Sequence, residues 1–386
     1  EDGHVIDIKY AGFQNIRVGD KDGIFGRKYI LDEKGRVKEE HFLGLDEKPK
    51  ATKSGMGIRT WEYNDNDDAV RFTYLTIDRQ PSGEAGLGIP VCENEFDKYG
   101  NEIRQVCKDM EGNLSLRKDA NIAGFEYELN DEGQKVMQRY IGTDGKPCYS
   151  STDGICGAKM EYDKNGYLIK MSYLDENGQP TLSKDGSSQW IAKTDNHGNY
   201  LEQTTFDLNG KPTETTNGYT TWRAEYDSLG NQTRYALYNA KDSLIIGKSG
   251  FAAVNIEYDK QNRAVKYVYY DENNKPFGGT NDIICIKYDY SPQGNITRYA
   301  YYDASETKLA HSNEMIAGCN SVFDDNGNEI ERSFFDDQNR PTTGTIRYAK
   351  WTAKYDEQGN QTEIRYYGLD GKLTMTSEGY AGIRYR

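Results

Sequence analysis

The sequence predicts an all-β chain: an elongated tandem array of β-hairpins, a solenoid or superhelix, in about twelve units of 32–33 residues. Three observations predict it. A six-residue phrase recurs at a fixed interval. The residues on either side of it alternate polar and apolar with a period of two. No part of the unit carries a helical pattern. The phrase is seen in Tyr226-Asp227-Ser228-Leu229-Gly230-Asn231, in Tyr355-Asp356-Glu357-Gln358-Gly359-Asn360 and in Phe96-Asp97-Lys98-Tyr99-Gly100-Asn101. Its second residue serves as an anchor: Asp32, Asn64, Asp97, Asn130, Asp163, Asp195, Asp227, Asp259, Ser291, Asp324 and Asp356.

The first element of each repeat is a hairpin closed by this phrase. Three residues after the anchor the chain has glycine in nine repeats and Asp67 or Asn262 in the other two, the residue types that tolerate a left-handed backbone. Asp first and Gly fourth fits a type I turn closed by a glycine bulge. Around Asp356, Trp351, Ala353 and Tyr355 precede the turn on one face, and Thr362, Ile364 and Tyr366 follow on the same face. A hairpin symmetric about its turn then opposes Trp351 to Tyr366, Trp222 to Leu237 and Cys92 to Cys107. The polar face tests this register. Glu62–Arg71, Glu95–Arg104, Glu161–Lys170, Glu225–Arg234, Glu257–Lys266 and Asp289–Arg298 become opposed pairs, and Lys193–Glu202 and Lys354–Glu363 reverse their signs together. Cross-strand ion pairing accounts for the pattern.

The second element is another turn, as in Asp144-Gly145-Lys146-Pro147 and Asp207-Leu208-Asn209-Gly210-Lys211-Pro212. Its proline has no N–H, so the ladder should break there. The third element leads back to the next repeat, often through Gly-aromatic-small, as in Gly250-Phe251-Ala252. A short strand or an irregular return fits it. One hairpin face is too small to stand alone, so each repeat must pack on its neighbours. Counting back from Asp32 places Glu1–His4 inside a turn, and counting on from Asp356 places the next anchor just past Arg386. The expectation is one continuous, uncapped array over 1–386, either polymerising end to end with copies of itself or continuing into further repeats.

Composition narrows function by exclusion. The charge balance of 48 Lys and Arg against 62 Asp and Glu leaves −14, which disfavours nucleic acid and acidic membranes as partners. No apolar run is long enough for direct membrane insertion. Only 35% of residues are hydrophobic, but 31 tyrosines supply area to bury. The six cysteines suggest three disulfides, Cys92–Cys107, Cys148–Cys156 and Cys285–Cys319, and so an oxidising compartment; reduced buried thiols are the other reading.

A search for chemistry finds none that breaks the repeat. His4, His41, His197 and His311 have no partner at metal-ligand spacing. No nucleophile elbow, P-loop or dinucleotide fingerprint occurs. The carboxylates recur in register, and the least regular stretch, Asp78–Pro90, is rich in Gly and Pro. The expectation is no enzyme, no catalytic residue, no metal site and no cofactor. Two repeated features could still bind something. Calcium could use the stacked Asp-rich turns, although Asp is also the ordinary turn residue. An aromatic column stands eleven residues after the anchor: Phe206, Tyr238, Tyr270, Tyr302, Phe335 and Tyr367. It lies opposite small residues such as Gly124, Gly157, Ala253 and Gly318. The rings either pack on the return segment or form a ladder for glycans or a surface protein.

The phrase Tyr162-Asp163-Lys164-Asn165-Gly166 resembles the YD repeats of bacterial secreted and surface proteins, the Rhs type included. The Asp-x-x-Gly-Lys-Pro turns are distantly similar to the hairpin repeats of choline-binding proteins and large clostridial toxins. Those repeats are nearer twenty residues, and the paired tryptophans of a choline site are absent. The resemblance implies a bacterial, exported, all-β repeat protein and carries over no ligand. The resulting expectation is a non-enzymatic extracellular structural or adhesive protein, a stalk, fibre or adhesin segment on the cell surface. A carbohydrate- or peptide-binding module using the aromatic column is the alternative.

Overall fold

A computed structural model of the chain describes residues 7–9, 22–83, 87–278, 283–307, 309–356, 359–377 and 379–384. The turn expected at Glu1–His4 and the terminal Arg386 lie outside these residues. Among them every regular element is a strand, from β1 (Asp7–Lys9) to β24 (Gly382–Arg384). The chain divides into two compact bodies: 1–191 with 206–211, and 192–205 with 212–386. In the first body, consecutive strands pair antiparallel from β1 to β12 (Gln189–Thr194). In the second they do so from β13 (Tyr200–Phe206) to β24.

The hairpin register follows from turn chemistry. Trp222 opposes Leu237, Trp351 opposes Tyr366 and Cys92 opposes Cys107, as alternation predicts. Just outside the turn the register shifts by one: Glu225 opposes Arg234 but Tyr226 opposes Gln232, so Thr233 on the return strand is the extra residue of a bulge, and the hairpins around it shift at the same place. At Asp227 the turn closes by Gly230 N–H donating to the Asp227 carbonyl at 3.1 Å. Gly230 has φ 86°, and the two substitutes, Asp67 and Asn262, adopt φ 69° and 66°. The anchor side chain finishes the turn: Asp227 Oδ1 accepts from the N–H groups of Leu229 and Asn231 at 2.9 Å each.

The second turn has the same geometry, and its proline makes one isolated bridge, for example Ile141↔Pro147. The chain adds one more hydrogen bond, Cys148 N–H to the Tyr140 carbonyl at 3.0 Å, and then leaves the sheet. It returns seven residues before the next anchor, where Tyr140 N–H donates to the Cys156 carbonyl at 2.8 Å. The tenth residue after the anchor therefore holds both ends of the excursion. Phe42, Tyr74, Cys107 and Tyr173 do the same in the first body, and Thr205, Leu237, Tyr269, Tyr301, Phe334 and Tyr366 in the second. The return is irregular rather than a third strand.

The excursion places one residue, eight before the next anchor, over the hairpin face. Ile24, Ile89, Ile122, Ile155 and Ile316 are buried there. In the first body Ile24, Phe42, Met56, Tyr74, Ile89, Cys92 and Cys107 form one continuous cluster across three repeats. Over these three repeats the core is thus a continuous layer between hairpin and return. The tyrosine just before the anchor adds a polar tie. Tyr63 and Tyr162 donate to the carbonyls of Val37 and Lys135 in the preceding repeat, each at 2.8 Å. Tyr226, Tyr258, Tyr290 and Tyr355 make the same bond in the second body. Each such bond contributes about 1 kcal/mol.

The other sheet face is close-packed where small residues were expected. Gly124 opposes Ile141, Gly157 opposes Leu174, Ala253 opposes Tyr270 and Gly318 opposes Phe335. A Cβ at Gly124 would lie 2.2 Å from the Gln105 carbonyl oxygen and 2.8 Å from Val106 Cα, both backbone atoms that cannot swing away. Gly124→Ala should therefore cost about 1–3 kcal/mol, read as a lower urea midpoint. An unchanged midpoint would contradict this packing.

Candidate functional site

The aromatic column lies where the register places it, on the sheet face opposite the return. Each ring from Tyr238 onward carries a cation. Arg223 sits over Tyr238 at 4.4 Å, Arg234 over Tyr270 at 5.7 Å, Lys287 over Tyr302 at 4.7 Å, Arg298 over Phe335 at 4.1 Å and Lys350 over Tyr367 at 5.8 Å. Phe335 is buried, and Phe206 and the four tyrosines are half-buried. Rings covered by the protein's own guanidinium and ammonium groups are held as packing elements, with less face left for a sugar to stack on.

The predicted ion pairs form beside this column. Glu95–Arg104 and Glu161–Lys170 close to 2.6 Å, Lys193–Glu202 to 2.7 Å, Glu62–Arg71 to 3.6 Å and Lys354–Glu363 to 3.8 Å. Glu257 meets Lys266 at 2.5 Å. The registers oppose Glu225 to Arg234 and Asp289 to Arg298 as well. These two arginines also reach forward, to Asn255 and Asn274 and to Asn320 and Asn339. That reach explains a feature the sequence reading passed over. The second turn needs a left-handed residue, and several repeats lack glycine there. Arg79, Asn274, Glu306 and Asn339 adopt φ between 57° and 60°. Each is held by the residue seven after the anchor of the preceding repeat: Glu39, Arg234, Lys266 and Arg298 respectively. The bond to the neighbouring repeat offsets the backbone cost of roughly 1 kcal/mol or more.

The turn carboxylates, where calcium was considered, are occupied by their own turns. Besides the two N–H groups on Oδ1, Oδ2 accepts from the asparagine four residues on, at 2.9 Å for Asp97 and Asp195 and 2.8 Å for Asp227. This bond, with the turn N–H groups, holds all three carboxyls below their ordinary 3.8. No group of three or more His, Cys, Asp or Glu side chains is arranged to hold a metal among the described residues. Shallow grooves separate neighbouring turn tips. One is lined by Lys34, Arg36, Trp61 and Tyr63, another by Gln134, Met160, Tyr162 and Asn165.

One cluster does break the pattern. The position five before the anchor, uncharged in every later repeat, is arginine in the first two, and the first repeat has a carboxylate eight after the anchor, where the others have apolar residues, glutamine or arginine. Glu40 is 2% exposed on the hairpin face. It takes a hydrogen bond from Arg27 Nη1 at 2.6 Å and one from the Tyr29 hydroxyl at 3.3 Å, with Arg59 Nη1 at 3.9 Å. Arg27 lies over Phe42, and Arg59 over Tyr74. Burial and the Glu40 charge push the Tyr29 phenol up. Aligning repeats by column would have shown Arg27 and Arg59 as charged outliers and Glu40 as the one carboxylate of its column. Chemically the cluster is a neutralised buried carboxylate, suited to holding structure.

All six cysteines are thiols in the structure. Cys92 and Cys107 are opposed as expected, with their sulfurs 3.6 Å apart. The expected Cys285–Cys319 pairing is corrected. Cys285 opposes Tyr302 and lies six residues before its anchor, whereas Cys319 opposes Tyr299 and Phe334 and lies five before. That one-residue offset places the two side chains on opposite faces of the sheet, with a strand between them. Cys148 and Cys156 stand at the two ends of one excursion, both tied to Tyr140.

No protein-family model matches the chain, and no curated protein matches it in sequence. Solved structures do match in fold. The crystal structure of TcdB2-TccC3-TEV aligns with a TM-score of 0.53 at 12% identity, over 95% of this chain and 16% of that chain. The crystal structure of TcdB2-TccC3 without hypervariable C-terminal region aligns with a TM-score of 0.43 at 12% identity, over 93% and 18%. The Photorhabdus luminescens Tc holotoxin pore aligns with a TM-score of 0.29 at 12% identity, over 99% and 21%. This chain spans about a fifth or less of the length of those chains, and at such identity the first likeness shows a shared repeat fold.

Two predictions follow from the charges. The turn carboxyls have folded pKa values below their unfolded ones, so their contribution is complete above the ordinary carboxylate value and is lost as pH falls through the folded values. The urea midpoint should hold from neutrality to about pH 4 and fall steeply between about pH 4 and 2; a midpoint flat across that range would refute the linkage. Glu40→Ala leaves two guanidinium groups without their buried partner and should cost about 3–5 kcal/mol. The triple variant Arg27→Met, Glu40→Leu, Arg59→Met should recover most of that loss, and failure to do so would mean that the ion cluster itself holds the repeats together.

Proposed function

We propose that the chain is a structural β-repeat segment of a bacterial secreted or surface protein, serving as a stalk, fibre or adhesin rather than as an enzyme. One observation carries the reading: the polar groups that recur most regularly are committed to the fold. Anchor carboxylates close turns, position-seven cations bridge to the next repeat, and tyrosine hydroxyls clamp the preceding one. Groups so tied resist reorganisation, which suits a scaffold better than a reacting centre. The shared fold with a chain of TcdB2-TccC3-TEV supports a bacterial repeat protein. The YD resemblance supports export. The partner this implies is another stretch of the same repeat, because many repeats offer their neighbour a carbonyl for its tyrosine, a charged side chain for its second turn and an apolar layer.

The cation-covered aromatic column separates this reading from a binding module. Tyr270→Ala and Tyr302→Ala should each lower the urea midpoint and leave a glycan-array profile unchanged. On intact cells of the source bacterium, the segment should be cut by added protease. Specific glycan binding abolished by both substitutions would replace the scaffold with a carbohydrate-binding module, and protection in intact cells would remove the surface location.

A further inference from the structure

The third hairpin differs from the others at its most enclosed cross-strand site. There β6 (Val91–Phe96) and β7 (Glu102–Lys108) place Cys92 directly opposite Cys107. Several equivalent sites hold large pairs, Phe125 with Tyr140, Trp222 with Leu237 and Trp351 with Tyr366, and where one partner is small, as at Ala158 with Tyr173 and Cys319 with Phe334, the other is a ring. The backbone determines what kind of pair this is. Cys107 N–H donates to the Ala123 carbonyl at 2.7 Å, and its own carbonyl accepts from Ser115 N–H at 2.9 Å. Both groups point away from β6, so Cys92 and Cys107 form a non-hydrogen-bonded pair. In such pairs the Cα atoms approach to about 4.5 Å and the side chains lie closest. That separation falls within the range a disulfide spans, about 4.4–6.8 Å between Cα atoms. The sulfurs already stand 3.6 Å apart, with Cys92 5% and Cys107 1% exposed beneath Ile89.

We propose that Cys92 and Cys107 are a disulfide-forming site that locks the third hairpin when the chain meets a disulfide oxidant. Rotation of the two side chains brings the sulfurs together without moving the strands. One sulfur, as thiolate, attacks the disulfide of the oxidant, forming a mixed disulfide and releasing one oxidant thiolate. The second sulfur, after losing its proton, displaces the other oxidant thiolate. The two cysteine protons end on the two oxidant thiols, and the two electrons taken from the cysteine sulfurs reduce the oxidant. The hydrogen-bonding contact with Cys92, and then burial, raise the Cys107 thiol's pKa, which slows attack on the folded chain and favours closure while the hairpin is forming. Cys285 and Cys319 face opposite sides of the sheet. The inference goes beyond the proposed scaffold role and stands on the β6–β7 geometry alone.

The full chain is produced in two ways, exported to an oxidising bacterial periplasm and retained in a reducing cytosol, then unfolded in alkylating denaturant and weighed intact. The exported chain should carry two fewer alkyl groups than the cytosolic one, with peptide mapping showing Cys92 joined to Cys107. Cys92→Ser and Cys107→Ser should each abolish the link. Reduction of the exported wild type should lower its urea midpoint, and reduction of either variant should not. Should the exported chain be poorly recovered, cytosolic protein refolded in a glutathione redox buffer provides the same readout. Equal alkylation of exported and cytosolic chains, or a link mapped to any other pair, overturns the proposal.

Discussion

The structure depends on one backbone site per repeat, the tenth residue after the anchor. Its N–H and carbonyl point to the same side of the strand, and both ends of the return segment bond to them. The arrangement converts a plain meander into a two-layer object. Without it the segment between the second turn and the next hairpin would have no fixed place, and the hairpin face would lie open to water. With it, one apolar side chain is brought over that face, as Ile89 is over Cys92 and Cys107. Side-chain identity at this tenth residue matters less than backbone direction, because phenylalanine, tyrosine, cysteine, threonine and leucine all serve.

A second set of interactions passes from one repeat to the next, and it explains where polar residues are tolerated. The tyrosine hydroxyl and the position-seven cation both reach a neighbour. In four of the second turns that lack glycine, the residue that replaces it is one that this cation or its acidic counterpart binds. Stability is therefore shared between repeats rather than held within them, as expected of a quasi-one-dimensional array. The same economy bears on function, since side chains that close a neighbour's turn have little freedom to serve a substrate.

The first two repeats depart from this economy. Arg27, Glu40 and Arg59 occupy the apolar face and replace rings with a buried ion cluster. A buried pair of this kind adds little net stability over apolar packing, but it resists the loss of any one member.

The sequence alone determined what is local. Period, turn type, left-handed positions, hairpin register and the opposition of Cys92 to Cys107 all arise from steric preference at glycine and asparagine and from the two-residue alternation of a strand. These act within about fifteen residues, and eleven internal copies averaged out the exceptions. The tertiary structure decided what joins residues farther apart. Asp, read in the sequence as a turn former that might also hold a cation, has its oxygens taken by N–H groups and by the asparagine four residues on. The tyrosine that precedes six of the anchors, read as one more apolar residue of the hairpin face, ties its hydroxyl to a carbonyl of the preceding repeat, 26 residues back at Tyr258. The ion cluster around Glu40 and the separation of Cys285 from Cys319 likewise depend on which face a residue takes once neighbouring repeats are laid side by side. A one-residue difference in column is nearly invisible along the chain, yet it moves a side chain through the whole thickness of the sheet.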